Sequence, residues 1–244
     1  MSCVYQNKKN ILIFAGGISP SKKDVESFMI NHDIDLNSSF IIAVDSGMET
    51  VIKFELKADL LIGDMDSIDK ETLCKFENSV CKKVFPKDKD FSDTELAFIE
   101  AKKIPHKNVV LIGASGGRIE HFVSLLSLFN FEKYNKSTMS LPNFWLTEEN
   151  IIVFCNKKNH LQINSLLETD NISVFSLGKN FFNGKIVSKG LKWNLDKINW
   201  KKQISLSNRI DSGYNSVELS IKRGSFIFVL PLKNNIKIVL KDKI

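Results

Sequence analysis

The chain has 244 residues, of which 43% are hydrophobic and 25% charged, with a formal net charge of +6. This is globular composition, and it excludes disordered, fibrous and membrane-embedded classes. No apolar run is long enough to span a bilayer, and the polar, lysine-ended stretch Met1–Asn10 lacks the apolar core of a secretory signal. A cytoplasmic location, without a membrane partner, is the expectation.

The first half alternates short apolar runs with helix-like segments. Ile11–Phe14, Phe40–Val44, Leu60–Ile62 and Val109–Ile112 are continuous apolar or β-branched runs, as strands buried on both faces require. Between them, helices are predicted over Lys22–Asn31, Met48–Leu56, Ser92–Lys103 and Arg118–Phe129. Ser92 and Glu95 have capping-box spacing at the start of the third. The alternation predicts an α/β N-terminal domain with a mostly parallel, Rossmann-like sheet.

After about Asn150 no amphipathic helix is legible. Ile151–Phe154, Ile172–Leu177, Val217–Ile221, Phe226–Leu230 and Ile236–Leu240 read as short strands. Turn signals at Asn183-Gly184, Asp211-Ser212-Gly213 and Lys233-Asn234-Asn235 lie between such runs. An all-β sandwich or barrel is predicted for this C-terminal domain. The boundary is set near Pro142 to Asn150, giving domains of residues 1–148 and 149–244.

The lysines are spread along the chain and no groove-reading motif accompanies them, so the charge suits an anionic small substrate better than nucleic acid. Cys3, Cys74, Cys81 and Cys155 form no close pair, which argues against zinc and for reduced, structural thiols.

In a parallel sheet, ligands bind beyond the carboxyl ends of the strands. Each of the four predicted strands of the first half is followed by a glycine-bearing loop: Ala15-Gly16-Gly17, Asp45-Ser46-Gly47, Gly63-Asp64-Met65-Asp66-Ser67 and Gly113-Ala114-Ser115-Gly116-Gly117-Arg118. A parallel sheet gathers all four at one edge. Asp64 and Asp66 share one side of an extended segment, where two carboxylates repel unless a cation is near. A pair of turn aspartates, with Asp66-Ser67 capping a helix, explains the same residues equally well.

The run Lys87-Asp88-Lys89-Asp90-Phe91-Ser92-Asp93 favours the metal reading, because interleaved lysines and aspartates suit a site holding both cation and phosphate. Taken alone, Asp93 is also a carboxylate matched to a helix dipole. Gly113–Arg118 resembles a phosphate cradle opening a helix, although no Gly-Lys-Ser/Thr follows, and an ordinary strand-to-helix turn fits it too. His121 has no base role from spacing alone. Trp193 suits a cationic ligand face and a β-domain core equally.

Together these segments resemble the thiamine diphosphokinase (thiamine pyrophosphokinase) family. The resemblance is carried by Asp59-Leu-Leu-Ile-Gly-Asp-Met-Asp-Ser-Ile68, Lys89-Asp-Phe-Ser-Asp-Thr-Glu-Leu-Ala97 and Gly113-Ala-Ser-Gly-Gly-Arg-Ile-Glu-His121, then Gly190-Leu-Lys-Trp-Asn-Leu195 and Ser205-Leu-Ser-Asn208. It implies transfer of a diphosphoryl group from ATP to the hydroxyl of thiamine, with Mg²⁺ as cofactor, in a homodimer. It also implies an α/β nucleotide domain followed by a β-sandwich that contributes to thiamine binding and dimerisation. Asp64, Asp66 and Asp93 correspond to the metal-binding acids. Asp66, Asp90 and Arg118 fall at the reacting centre, with Asp90 or Asp66 as acceptor of the hydroxyl proton. Gly17, Asp45, Lys89, Gly116, Gly117 and Arg118 fall at the nucleotide. Glu120, His121, Trp193, Ser207 and Asn208 fall at the thiamine. The chain departs from the family pattern at Ser46, at Glu120 (usually Asp) and at Arg209 (often an acid). The residues by themselves also admit a kinase of another small alcohol, or a non-catalytic nucleotide- or nucleic-acid-binding protein.

Overall fold

The structure is a computed structural model that describes residues 8–65, 80–129, 138–157, 159–177, 184–203 and 205–242. The first half contains β1 (Asn10–Ala15), α1 (Lys22–Asn31), β2 (Phe40–Val44), α2 (Gly47–Lys53), β3 (Leu60–Gly63), β4 (Cys81–Val84), α3 (Asp93–Lys102), β5 (Asn108–Gly113), α4 (Ile119–Leu128) and β6 (Phe144–Leu146). The second half contains β7 (Asn150–Asn156), β8 (Asn159–Asn164), β9 (Ile172–Leu177), β10 (Lys185–Lys189), β11 (Ser205–Asn208), β12 (Ser216–Arg223), β13 (Ser225–Pro231) and β14 (Lys237–Asp242).

Strands β6, β5, β1, β2, β3 and β4 pair in that order, all parallel. The apolar runs of β1, β2 and β3 are buried at every position. Side chains alternate across the pleat. Leu12 and Phe14 join the core with Val25, Phe28, Met48 and Val51 of α1 and α2. Ile11 and Ile13 join the opposite core with Leu96, Phe98 and Leu125 of α3 and α4. Helices therefore cover both faces, which is why these strands read as unbroken apolar runs. The capping box at Ser92 is present: its Oγ accepts from Glu95 N, and its own N–H donates to the Glu95 carboxylate at 2.8 Å.

Past β6 the sheet changes sense without ending. Thr147 N donates to Asn150 O at 2.9 Å, and this tight turn returns the chain as β7, antiparallel to β6. β13, β9 and β11 then extend the same ten-stranded sheet. A second, antiparallel sheet of order β10-β12-β8-β14 completes a β-sandwich, and its Leu161, Leu219 and Ile221 share one core with Leu12 and Phe14. The predicted fold class is thus present, and one sheet runs through both of its parts.

Among the described residues five strands escape sequence reading, including β4, β8, β10 and β11. β4 reads Cys-Lys-Lys-Val at the sheet edge and is only half-buried. β8 carries His160, Gln162 and Asn164 on its less buried face, and β10 exposes Lys185, Val187 and Lys189 while burying Ser188. The fifth, β6, is only three residues long and lies inside the interval read as a break. Cys81 in β4 is disulfide-bonded, which corrects the expectation of reduced cysteines for that residue: an edge strand leaves its thiol accessible. Cys155 is a buried free thiol as expected, and burial pushes it far above the ordinary range. Asn183 and the Met1–Asn7 stretch lie outside the described residues.

Candidate active site

The four strand-end loops meet. Ala114 N donates to Gly16 O at 2.9 Å and Ile18 N to Ser115 O at 2.6 Å, which ties the loops after β1 and β5 together. A Cβ on Gly17 would stand 2.4 Å from Ser115 O, so this contact needs glycine. Asp45 N donates to Ile62 O, and Met65 N reaches the Asp45 carboxylate at 3.4 Å, joining the loops after β2 and β3. Asp45, Met65 and Ala114 all have positive φ, at 45°, 63° and 56°. Left-handed non-glycine residues are strained, and strain of this kind collects where a fold holds functional groups in place.

Asp45 is the electrostatic centre of this edge. Its pKa is pushed from 3.8 to about 7, first by burial and next by Asp93, with Asp64 adding to the repulsion. The Met65 N–H and the Lys89 ammonium act in the opposite sense and do not compensate. Lys89 Nζ stands 3.0 Å from Asp93 Oδ1 and also donates to Pro86 O. The Asp93 oxygen is buried and accepts no aligned hydrogen bond. Asp93 and Asp64 thus both repel the Asp45 carboxylate, and Lys89 lies beside Asp93. That donor set suits a hard divalent cation, which takes carboxylate oxygens and would relieve the repulsion.

The structure brings together Asp45, Asp64, Lys89 and Asp93, with Gly17 on the adjoining loop. Asp66, predicted for metal binding and catalysis, lies outside the described residues. Among the described residues no group of three or more His, Cys, Asp or Glu is gathered as a ready-made metal site. Asp90 is exposed. Gly116 and Gly117 are exposed, and a Cβ at Gly117 would meet nothing within 4 Å. Arg118 pairs with Glu120, both largely exposed at 72% and 57%. A backbone hydrogen bond first, and the Arg118 bond second, hold the Glu120 carboxyl below its ordinary pKa. His121 is likewise exposed on α4.

The second group of predicted residues assembles at the far end of the sheet. Trp193 is half-exposed rather than a core residue. Asn208 is buried at the end of β11, where its Oδ1 accepts from Trp193 N (3.1 Å) and Arg209 N (2.9 Å) and its Nδ2 donates to Trp193 O (2.7 Å). Ser207 is exposed beside it. Lys192 Nζ and the Arg209 guanidinium lie 5.5 and 5.7 Å from the Trp193 ring centroid. Sequence reading missed Lys192, whose only signal was adjacency to Trp193. It also missed the central place of Asp45 in the carboxylate group, since that depends on which strands are neighbours.

This architecture is that of an enzyme with an acidic site at the carboxyl edge of a parallel α/β sheet and a β-sandwich continuing the sheet. Residues 32–140 match the thiamin pyrophosphokinase catalytic domain, and residues 158–226 match the thiamin pyrophosphokinase vitamin B1 binding domain. The two matches together span well over half of the chain, which belongs to the thiamin pyrophosphokinase family, and its function is pyrophosphate transfer to thiamine. The fold is also that of several solved structures. A thiamin pyrophosphokinase family protein from Enterococcus faecalis is 20% identical with a TM-score of 0.71, covering 96% of this chain and 100% of its own. Thiamine pyrophosphokinase from Bacillus subtilis is 21% identical with a TM-score of 0.69, covering 91% and 99%. Thiamin pyrophosphokinase from Candida albicans is 15% identical with a TM-score of 0.69, covering 93% and 90%. A comparison with curated proteins found no match.

Proposed function

We propose that ATP is the diphosphoryl donor, that Mg²⁺ is required, and that the products are thiamine diphosphate and AMP. The observation that carries this reading is the repulsion of Asp45 by Asp93 and Asp64 at the strand-end edge, with Lys89 beside Asp93, which favours a bound cation. Asp64, Asp66 and Asp93 would hold Mg²⁺, which when bound neutralises charge on the polyphosphate. Gly17, Asp45, Gly116 and Gly117 border the nucleotide. Lys89 and Arg118 pair with phosphate oxygens, and Arg118 leaves Glu120 to do so. The exposure of Arg118 leaves it free to turn toward a ligand. Asp90 or Asp66 takes the proton of the attacking hydroxyl while the chain holds the reacting atoms in line.

Thiamine is assigned to Glu120 and His121 of one protomer together with Trp193, Ser207 and Asn208 of its partner, because the two groups stand at different strands of the sheet within one chain. Residues 1–148 form the catalytic unit, and residues 149–244 supply thiamine contacts and a dimer surface. Exposed Ile119 and Val123 on α4, at 71% and 53%, support a homodimer. No helix among the described residues is long and apolar enough to cross a membrane, and a cytoplasmic location is part of the proposal.

The test is incubation with thiamine, ATP and Mg²⁺, followed by separation of the nucleotides and thiamine esters. AMP and thiamine diphosphate should appear in equal amounts, whereas ADP would point to a kinase of another type. Asp64→Asn should lower turnover at least about 100-fold with an unchanged circular dichroism spectrum. Full activity in that variant would remove the metal assignment.

A further inference from the structure

Trp193 has two cations close to its ring, Lys192 and Arg209. Asn208, itself buried, fixes the backbones of both Trp193 and Arg209 with one side-chain amide. Lys192 N donates to Arg209 O at 3.0 Å, so the segment carrying one cation is bonded to the segment carrying the other. The Leu191–Ile210 bridge continues that pairing. Both charged ends lie within 6 Å of the ring centroid. The backbone pairing therefore sets Lys192 and Arg209 beside Trp193.

This surface is poorly matched to thiamine and well matched to its product. Thiamine carries a permanent thiazolium charge, and two cations beside the ring oppose its approach. The diphosphate ester keeps that charge but adds a strongly anionic group, which the same cations attract. We propose that Arg209 and Lys192 make the Trp193 surface discriminate by charge, favouring the diphosphate ester over thiamine and so retaining product. This rests on the assignment of thiamine to the Trp193 surface made above.

The test is isothermal titration of the intact protein with thiamine and, separately, with thiamine diphosphate. A unit charge about 6 Å away in a solvated site changes affinity roughly threefold to tenfold. Arg209→Gln and Lys192→Gln should each tighten thiamine binding and weaken thiamine diphosphate binding by about that factor, and Arg209→Lys should restore the original order. Opposite signs are the decisive readout, because loosening of the loop would weaken both ligands together. Parallel weakening, or no change in either ligand, overturns the proposal. Trp193→Ala separates the two layers of the argument. If it weakens both ligands while Arg209→Gln has no effect, the site assignment stands and the charge proposal fails. If Trp193→Ala leaves both affinities unchanged, the site assignment fails and the charge proposal with it.

Discussion

The carboxylate of Asp45 occupies the space directly over Gly63: a Cβ at that glycine would stand 1.6 Å from Asp45 Oδ1. Gly63 also has a φ of 147°, which side-chain-bearing residues rarely adopt. The last residue of β3 is thus glycine so that the acid after β2 can lean across it. Gly63→Ala should destabilise the fold by about 2–4 kcal/mol and lower turnover more than any change in KM for ATP. Thermal unfolding and steady-state kinetics check both parts, and a variant with wild-type stability would contradict the close approach.

Asp45 is held at a cost to the fold. Its pKa of about 7 means that ionising it near neutrality opposes folding, and it is partly solvated, so the effect is discounted for screening. Asp45→Asn should therefore raise stability in chelator by about 1 kcal/mol while lowering activity. Melting curves in EDTA, set beside turnover with Mg²⁺, test the trade. A variant that is both less stable and fully active would show the opposite arrangement.

Asn208 makes three hydrogen bonds to the Trp193 and Arg209 backbones from a buried position. Asn208→Ala leaves those groups unpaired and should cost about 2 kcal/mol. With Trp193 no longer fixed, KM for thiamine should rise while KM for ATP stays near its original value. Equal effects on both substrates would indicate a global rather than a local change.

His32 fastens α1 to the sandwich. Its Nε2 accepts from Ile238 N at 3.1 Å, and its Nδ1 donates to Phe28 O at 2.6 Å. The Ile238 bond requires an unprotonated Nε2, whereas the Phe28 bond persists in either charge state. Burial lowers its pKa from 6.5 to about 4, with Lys237 adding to the shift and the Phe28 carbonyl and Asp33 opposing it. The unfolded chain therefore binds more protons between those values, so this contribution is fully present above pH 6.5 and is lost as pH falls toward 4. It amounts to about 3 kcal/mol. His32→Asn should flatten the stability–pH curve in that window, as measured by urea unfolding. An unchanged slope would rule out His32 as its source.

The parallel half of the fold was legible because its signals are local. A strand covered by helices on both faces must be apolar at every position, and β1, β2 and β3 show this directly. Ser92 and Glu95 are three residues apart, so their reciprocal bonds can be read before any packing is known. The edge and sandwich strands were harder, because Cys81–Val84 and Lys185–Lys189 bury only part of their side chains.

By itself, the sequence determined which loops end the parallel strands, and therefore that Gly17, Asp45, Asp64 and Gly116 belong to one edge. Only the tertiary structure decided what those residues do to one another. The charge state of Asp45 depends on burial and on Asp93, which lies 48 positions away in the sequence. The surroundings of Trp193 depend on the pairing that brings Arg209 beside it. The continuation of one sheet from β6 into β7 depends on a four-residue turn inside a segment that reads as a linker. Backbone periodicity is a property of neighbours along the chain, whereas electrostatic coupling falls with distance in space, and sequence separation does not measure that distance.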